Sequence, residues 1–179
     1  DEPASKATFA LEVVIPKDEV AFSNMPEASN RVVGDTRHVR FQSTPKMSSY
    51  LLHLSVGDLE RVSRTIEGVD VGIVMRRGAG AMAKFALDAT AEILPWYNNY
   101  FGTPYPLPKL DMIAAPGQSS FFGAMENWGA ILYFEPLLLV DPARSSQSDR
   151  QAVFDVIAHE LAHQWFGNLV TMHWWDDLW

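Results

Sequence analysis

The sequence contains no cysteine, and this absence excludes disulfide bonds and thiolate chemistry. It also has no excess of basic residues, since 14 lysines and arginines stand against 22 aspartates and glutamates and give a net charge of −8. Because there is no basic stripe, nothing in the charge pattern indicates a nucleic-acid partner. An acidic protein attracts cations, which suits a substrate that carries an amine, but the need for solubility explains the same charge equally well.

Long apolar runs are missing as well. The longest, AILYFEPLLLV, is interrupted by Glu135 and Pro136, so the sequence predicts no membrane-spanning segment in this chain. The overall composition, 47% hydrophobic and 20% charged, is nevertheless typical of a folded globular protein. With 179 residues, the chain is long enough for one ordinary domain or for parts of two. Its composition does not indicate a cellular compartment.

The first part of the chain consists of short alternating segments that are separated by turns. In TFALEVVIP the apolar side chains fall on one face of a strand, and YLLHLSV alternates in the same way. The stretches between these segments, such as SNMPEASN and STPKMSS, are rich in turn-forming residues. Short strands joined by turns predict an antiparallel β domain.

The second part of the chain has a different pattern. Helical spacing runs through AMAKFALDATAEILPWYNNYFG, in which Pro95 is expected to kink or end the helix. KLDMIAAP then predicts a buried strand, and GAILYFEPLLLV predicts one or two more. The whole chain is therefore expected to be α+β, with a β unit at residues 1–67 and a mixed unit at residues 68–179.

A second helix is predicted after the polar loop DPARSSQ. Ser148 and Gln151 resemble a capping box at its start, a feature that stabilises a helix by about 1 kcal/mol. Gly167 fits a C-terminal cap, so the helix should extend to about Phe166. The predicted helix contains the motif HELAH, and helical geometry therefore decides how the side chains of that motif are arranged.

His159 and His163 are one turn apart on this helix and project from the same face. Two imidazoles at that spacing can both bind one Zn²⁺ ion at about 2.0–2.1 Å. Glu160 lies about 100° around the helix from His159, beside the ion without having to ligate it. Since zinc acidifies water and a neighbouring carboxylate can take the proton, Glu160 is the predicted general base. A lone buried histidine is usually structural, but a complete HExxH pattern in a capped helix favours a zinc site.

Two histidines are too few for a catalytic zinc site, which takes three protein ligands. Asp155 precedes His159 by one turn and would lie about 5.4 Å further along the helix axis, so a supporting or surface role is favoured over ligation. His173 follows the end of the helix too closely to be an obvious candidate, and His38 and His53 belong to the β region. The third ligand is therefore expected to lie outside this chain.

Three motifs carry a resemblance to a known family: GAMENWG at 123–129, HELAHQWFGNLVT at 159–171 and WWDDLW at 174–179. Together they are similar to the zinc aminopeptidases of the aminopeptidase N type, relatives of thermolysin in their catalytic fold. A GxMEN element about thirty residues before HExxH is far more specific than either motif alone. The resemblance implies the end of an N-terminal antiparallel β domain, followed by the first half of a thermolysin-like zinc peptidase domain.

The resemblance also implies roles for the first motif. Glu126 would bind the free α-amino group of a peptide, and the backbone around Gly123 and Ala124 would pair with that peptide. A glutamate just beyond Trp179 would be the third zinc ligand, and the transition-state-stabilising tyrosine of the family has no counterpart here. The parent protein is thus expected to be a zinc-dependent aminopeptidase that acts on peptides with a free N-terminus, and the chain alone is expected to be inactive.

Three other functions remain open at the level of sequence. A thermolysin-type endopeptidase shares HExxH but has no use for Glu126, and an epoxide hydrolase uses the same zinc fold. A non-catalytic binding module would need no third ligand at all. Phe121 and Phe122, just before the first motif, either shape the first substrate pocket or are ordinary core aromatics.

Overall fold

The computed structural model describes residues 2–118 and 122–177. In chain order the strands are β1 Lys6–Ala7, β2 Glu12–Pro16, β3 Val20–Ser23, β4 Glu27–Val33, β5 Thr36–Phe41, β6 Met47–Ser48, β7 Leu54–Gly57, β8 Leu59–Ile66, β9 Val69–Arg76, β10 Lys109–Ala115, β11 Ala124–Met125 and β12 Ala130–Phe134. The α-helices are α1 Lys84–Tyr100 and α2 Gln147–His163, and short 3₁₀ helices lie at Ser49–Leu51, Gly80–Met82, Glu135–Leu137 and Trp175–Asp177.

Strands β1 to β7 form small antiparallel sheets, as the alternating pattern predicts. The pairs are β1 with β6 and β3 with β7, and a three-stranded sheet has the order β2-β5-β4. A small core of Ile15, Ala21, Val39 and Phe41 lies within this region. The N-terminal part is therefore antiparallel β.

The segment YLLHLSV is only partly a strand, because β7 begins at Leu54 and a 3₁₀ helix precedes it. The side-chain amide of Asn24 explains the interruption. It donates to the carbonyl oxygen of Leu51 at 2.8 Å and accepts from the backbone N–H of His53 at 2.9 Å. These backbone groups are thus paired with a side chain instead of a neighbouring strand.

A five-stranded sheet with the order β11-β12-β10-β9-β8 forms the second part of the fold. Strands β9, β10 and β12 are parallel, and β8 and β11 pair antiparallel at the two edges. Its residues in the main core are Ile66, Val69, Val71, Ile73, Met75, Leu110, Met112, Ala114, Ile131 and Tyr133. The same core contains buried residues of α1 and α2, so both helices pack on this face. The buried strand predicted from KLDMIAAP is confirmed as β10.

The boundary predicted between residues 67 and 68 falls at the turn between β8 and β9. Glu67 and Gly68 form this turn with φ angles of 50° and 83°, and β8 and β9 pair along their whole length. Both strands belong to the five-stranded sheet. Where the two units divide remains a prediction.

Helix α1 continues through Pro95 to Tyr100, although Pro95 was expected to kink or end it. A proline inside a helix costs about 3 kcal/mol, whereas each fully buried large apolar side chain contributes about 1.5–3 kcal/mol. Helix α1 buries Leu87, Ile93 and Leu94, so packing outweighs the local cost. Neither helix in the described ranges is long and apolar enough to cross a membrane.

Helix α2 begins two residues earlier than the predicted capping box implies. Ser146 is the N-cap: its Oγ accepts from the Asp149 N–H at 3.2 Å, and Asp149 Oδ2 accepts from the Ser146 N–H at 2.7 Å. The assignment to Ser148 and Gln151 is therefore wrong. The regular helix also ends at His163, earlier than expected, and a turn follows it.

Candidate active site

Helix α2 positions the two predicted zinc ligands. Its apolar residues Val153, Ile157 and Leu161 are fully buried against the sheet, which turns His159 and His163 toward the protein surface. Their Nε2 atoms are 3.1 Å apart, and the two rings are nearly perpendicular, at 83°. Two nitrogens that bind one tetrahedral ion at about 2.0–2.1 Å lie about 3.4 Å apart. The spacing of the two atoms therefore fits a shared ion.

The protonation of His163 is also suited to metal binding. Its Nδ1 lies 2.9 Å from the carbonyl oxygen of Phe166. A carbonyl only accepts hydrogen bonds, so Nδ1 carries the proton in the neutral ring and Nε2 presents its lone pair toward His159. A backbone partner on the other ring nitrogen is the usual second-shell arrangement for a metal-binding histidine. Burial, followed by the charge of His163, lowers the pKa of His159, which favours the neutral, metal-binding form of His159.

Glu160 lies on the inner side of the same turn. Its side chain is 5% exposed, and Oε2 is buried with no hydrogen-bond partner among the described residues. Burial raises the pKa of Glu160 to about 8, and the negative charge of Glu126 adds to the shift. A buried carboxyl oxygen without a partner is costly, so its presence here is explained best by chemistry in which a water or a substrate group approaches it.

The described residues contain no group of three His, Cys, Asp or Glu side chains that could hold a metal ion. Asp155 lies exposed on α2, in keeping with the surface role that was favoured for it. The imidazole pair and the buried carboxyl oxygen nevertheless have the donor chemistry of a zinc site with one ligand still to be supplied.

Glu126 follows the edge strand β11 and is partly buried. Its negative charge raises the pKa of Glu160 and, after burial, contributes to the rise of the Tyr50 pKa to about 12. It also opposes the lowering of the His159 pKa. The fold thus brings the acid of the first motif within electrostatic range of the histidine motif.

Two amide side chains that the sequence analysis passed over connect the motifs. The Nε2 of Gln164, which is fully buried, donates to the carbonyl oxygens of Glu126 and Glu160, both at 3.2 Å. Its Oε1 accepts from the N–H of Gly129 at 3.3 Å. Asn168 Nδ2 donates to the same Glu126 oxygen at 2.8 Å. The sequence signal was the position of Gln164 directly after His163, whereas the burial of this amide is visible only in the fold.

Gly123 and Ala124 lie at the start of the exposed sheet edge. Ala124 pairs with Tyr133 of β12 on one side, and an edge strand can receive a further strand on the other side. At Gly123 an added Cβ would lie 2.5 Å from Leu137 Cδ1. Since Cδ1 is the end of a flexible, partly exposed side chain, it can move aside, and this contact alone does not require a glycine.

Of the two aromatic residues before the first motif, only Phe122 lies within the described part of the chain. Phe121 lies outside the described residues. Phe122 is 50% exposed, and its ring centroid is 5.7 Å from that of Phe134. It lines a cavity that also borders Gly123 and Leu137, so Phe122 is a surface aromatic beside the edge strand rather than a core residue.

Residues 85–179 match the model of the peptidase family M1 domain, and residues 1–51 match that of the peptidase M1 N-terminal domain. The chain is 48% identical to aminopeptidase N of Acetobacter pasteurianus, 49% identical to probable aminopeptidase 2 of Sulfurisphaera tokodaii and 48% identical to aminopeptidase M1 of Arabidopsis thaliana. Each alignment covers 100% of the chain, and 50%, 22% and 20% of these relatives, respectively. The chain therefore spans about half the length of the first relative and about a fifth of the other two. With both motifs inside the longer match, the chain belongs to peptidase family M1.

Proposed function

We propose that the full-length protein containing this chain is a zinc-dependent aminopeptidase, which removes the first residue from peptides with a free N-terminus. One observation carries the proposal: the carboxylate-bearing residue Glu126 is hydrogen-bonded, through Gln164, to the helix of His159, Glu160 and His163. Relatives that match the whole chain are named aminopeptidases, which supports the same activity.

His159 and His163 would hold the zinc ion through their Nε2 atoms. Once bound, zinc supplies Lewis-acid polarisation of the scissile carbonyl and acidifies water. We place the third ligand outside this chain, since the described residues offer no third acid, histidine or cysteine to the pair. For that reason the chain by itself should bind zinc weakly and have negligible activity.

Glu160 acts as the general base. Because its carboxyl group is buried, it is a stronger base than an exposed glutamate. Its Oε2, which no described residue hydrogen-bonds, is available to accept the proton of the attacking water. The same oxygen then passes that proton to the departing amine.

Glu126 binds the α-ammonium group of the substrate. The negative charges of Glu126 and Glu160 repel each other. A cation bound next to Glu126 relieves this repulsion. The edge strand β11 offers backbone groups to the substrate chain. An acid at a set distance from the general base selects a peptide end over an internal bond, which is what separates an aminopeptidase from an endopeptidase.

The substitution Glu160→Gln in the full-length protein tests this assignment. Zinc content should stay the same, and the turnover of an aminoacyl-anilide should fall by at least about 100-fold, the lower range for general-base catalysis. Asp155→Asn, on the exposed side of the same helix, is the matched control and should keep both zinc and activity. Undiminished turnover by the Glu160 variant would refute the role, and equal cleavage of N-acetylated peptides by the wild type would indicate an endopeptidase instead.

A further inference from the structure

We propose that Gln164 and Asn168 are positioning residues for substrate recognition: together they hold the backbone of Glu126 at a set distance from the histidine motif. This inference rests on the proposed role of Glu126 as the amine-binding acid. Neither amide touches the reacting atoms. Each acts on the substrate only through the position of the Glu126 carboxylate.

The hydrogen bonds of Gln164 allow one orientation of its amide. Oε1 faces a backbone N–H, that of Gly129, and Nε2 faces two carbonyl oxygens, those of Glu126 and Glu160. Since an N–H cannot accept and a carbonyl cannot donate, rotating the amide by 180° would break all three bonds. One side chain therefore connects the helix turn of the general base to both ends of the loop from Glu126 to Gly129.

Asn168 completes the arrangement from the turn after α2. Its backbone N–H donates to the carbonyl oxygen of His163 at 3.0 Å, which ties the turn to the second histidine. Its side chain then donates to the carbonyl oxygen of Glu126 at 2.8 Å. A carbonyl oxygen has two lone pairs, and in Glu126 both are used by these two amides.

The side chain of Asn168 also has a destabilising feature that a purely structural role does not explain. Asn168 is fully buried, and its Oδ1 has no hydrogen-bond partner within the described ranges. An unsatisfied buried oxygen destabilises a protein, so an apolar residue would serve a purely structural purpose better. The donor that Asn168 supplies to Glu126 is the reason to keep an amide here.

The loop needs such support because the strand before it is short. β11 consists of two residues at the edge of the sheet, and this pairing alone leaves the following residue weakly held. Catalysis is sensitive to position, and a displacement of about 1 Å can cost about 100-fold in rate. Loss of the amide donors should therefore displace the carboxylate that binds the substrate amine.

The test measures the preference of the zinc-loaded full-length protein for a free amine. This preference is the ratio of kcat/KM for an aminoacyl-anilide to that for its desamino analogue. Gln164→Met keeps the size of the side chain and removes its hydrogen bonds; we expect the ratio to fall by about 10- to 100-fold, with zinc content unchanged. Gln151→Met, at an exposed site on the same helix, is the matched control and should leave the ratio unchanged.

A second variant and a double mutant separate positioning from loss of structure. Asn168→Ala removes one donor together with the unsatisfied oxygen, so it should fold and still lower the ratio. If the amides act through Glu126, then Gln164→Met should change nothing further in a Glu126→Ala background. A fall in activity that is equal for both substrates would overturn the inference. If Glu126→Ala itself leaves the ratio unchanged, the proposed function fails; if only the amide variants leave it unchanged, this inference fails alone.

Discussion

Gly129→Ala should be one of the most damaging small substitutions near the candidate site. Gly129 has a φ angle of +76°, and a Cβ there would lie 2.5 Å from the backbone oxygen of Asn24 and 2.9 Å from Leu107 Cδ1. The Asn24 oxygen belongs to the main chain, and the Asn24 side chain itself donates to the Trp128 carbonyl at 2.8 Å. The N-terminal loop therefore cannot withdraw without losing its contact with the site.

The expected cost has two parts. A non-glycine residue in the left-handed conformation costs about 1–2 kcal/mol, and overpacking adds about 1–3 kcal/mol. A comparison with Gly68 separates the conformational cost from the cost of overpacking. Gly68 also has a positive φ, +83°, but a Cβ there would meet nothing within 4 Å. Gly68→Ala should thus lose about 1–2 kcal/mol of unfolding free energy, and Gly129→Ala about 2–5 kcal/mol.

Urea denaturation of both variants, followed by the fluorescence of the tryptophans, provides the comparison through the midpoint and slope of the transition. Gly129→Ala should also lower activity, because the Gly129 N–H donates to Gln164. Equal stability losses at Gly129 and Gly68 would show that the close approach to Asn24 is absent, and the reasoning would be refuted.

Two further predictions concern buried charges. Asp111 is 1% exposed and pairs with the buried Lys109 at 2.9 Å and with Arg61 at 2.7 Å. Arg61 keeps a second partner in Asp70, but Asp111→Ala leaves the buried Lys109 cation without its ion-pair partner and should cost about 3–5 kcal/mol in denaturation experiments. Adding Lys109→Met should recover part of the loss, and no recovery would contradict this explanation. Burial, followed by the charge of Lys109, lowers the pKa of His53 from 6.5 to about 4. The unfolded chain therefore binds more protons between these values, and stability should fall by up to about 3 kcal/mol as the pH drops from about 6.5 to about 4. His53→Gln should remove that part of the pH dependence, and identical pH profiles of the wild type and this variant would disprove it.

The chemistry on helix α2 could be predicted because it is local. A period of about 3.6 residues per turn places residues four apart on one face, whatever the helix packs against. The spacing of His159 and His163 follows from this rule, and so does the rotation of Glu160 by about 100° from His159. Strand β10 was also predictable from the sequence, since its apolar residues Met112 to Ala115 are consecutive and favour burial on both faces.

Other local patterns were ambiguous because two solutions fit the same residues. Ser146 and Ser148 both can cap a helix, and the acid at Asp149 decides between them by closing the reciprocal hydrogen bonds. The geometry of proline predicts that the helix breaks at Pro95, yet burial of one face of α1 keeps the helix continuous. At Pro95, contacts elsewhere outweighed a local preference of about 3 kcal/mol, whereas at the start of α2 a neighbouring acid decided between two serines.

By itself the sequence determined the two histidines and the glutamate of α2, because hydrogen bonds between near neighbours set that geometry. Only the tertiary structure decided that the backbone of Glu126 is hydrogen-bonded to the residues that follow this motif, since Gln164 lies 38 residues further along the chain from the carbonyl that it holds. Such a contact depends on how the sheet packs against α2, and sequence spacing carries no information about that packing. For the same reason, the sequence alone does not show that a Cβ at position 129 would clash with the backbone of Asn24.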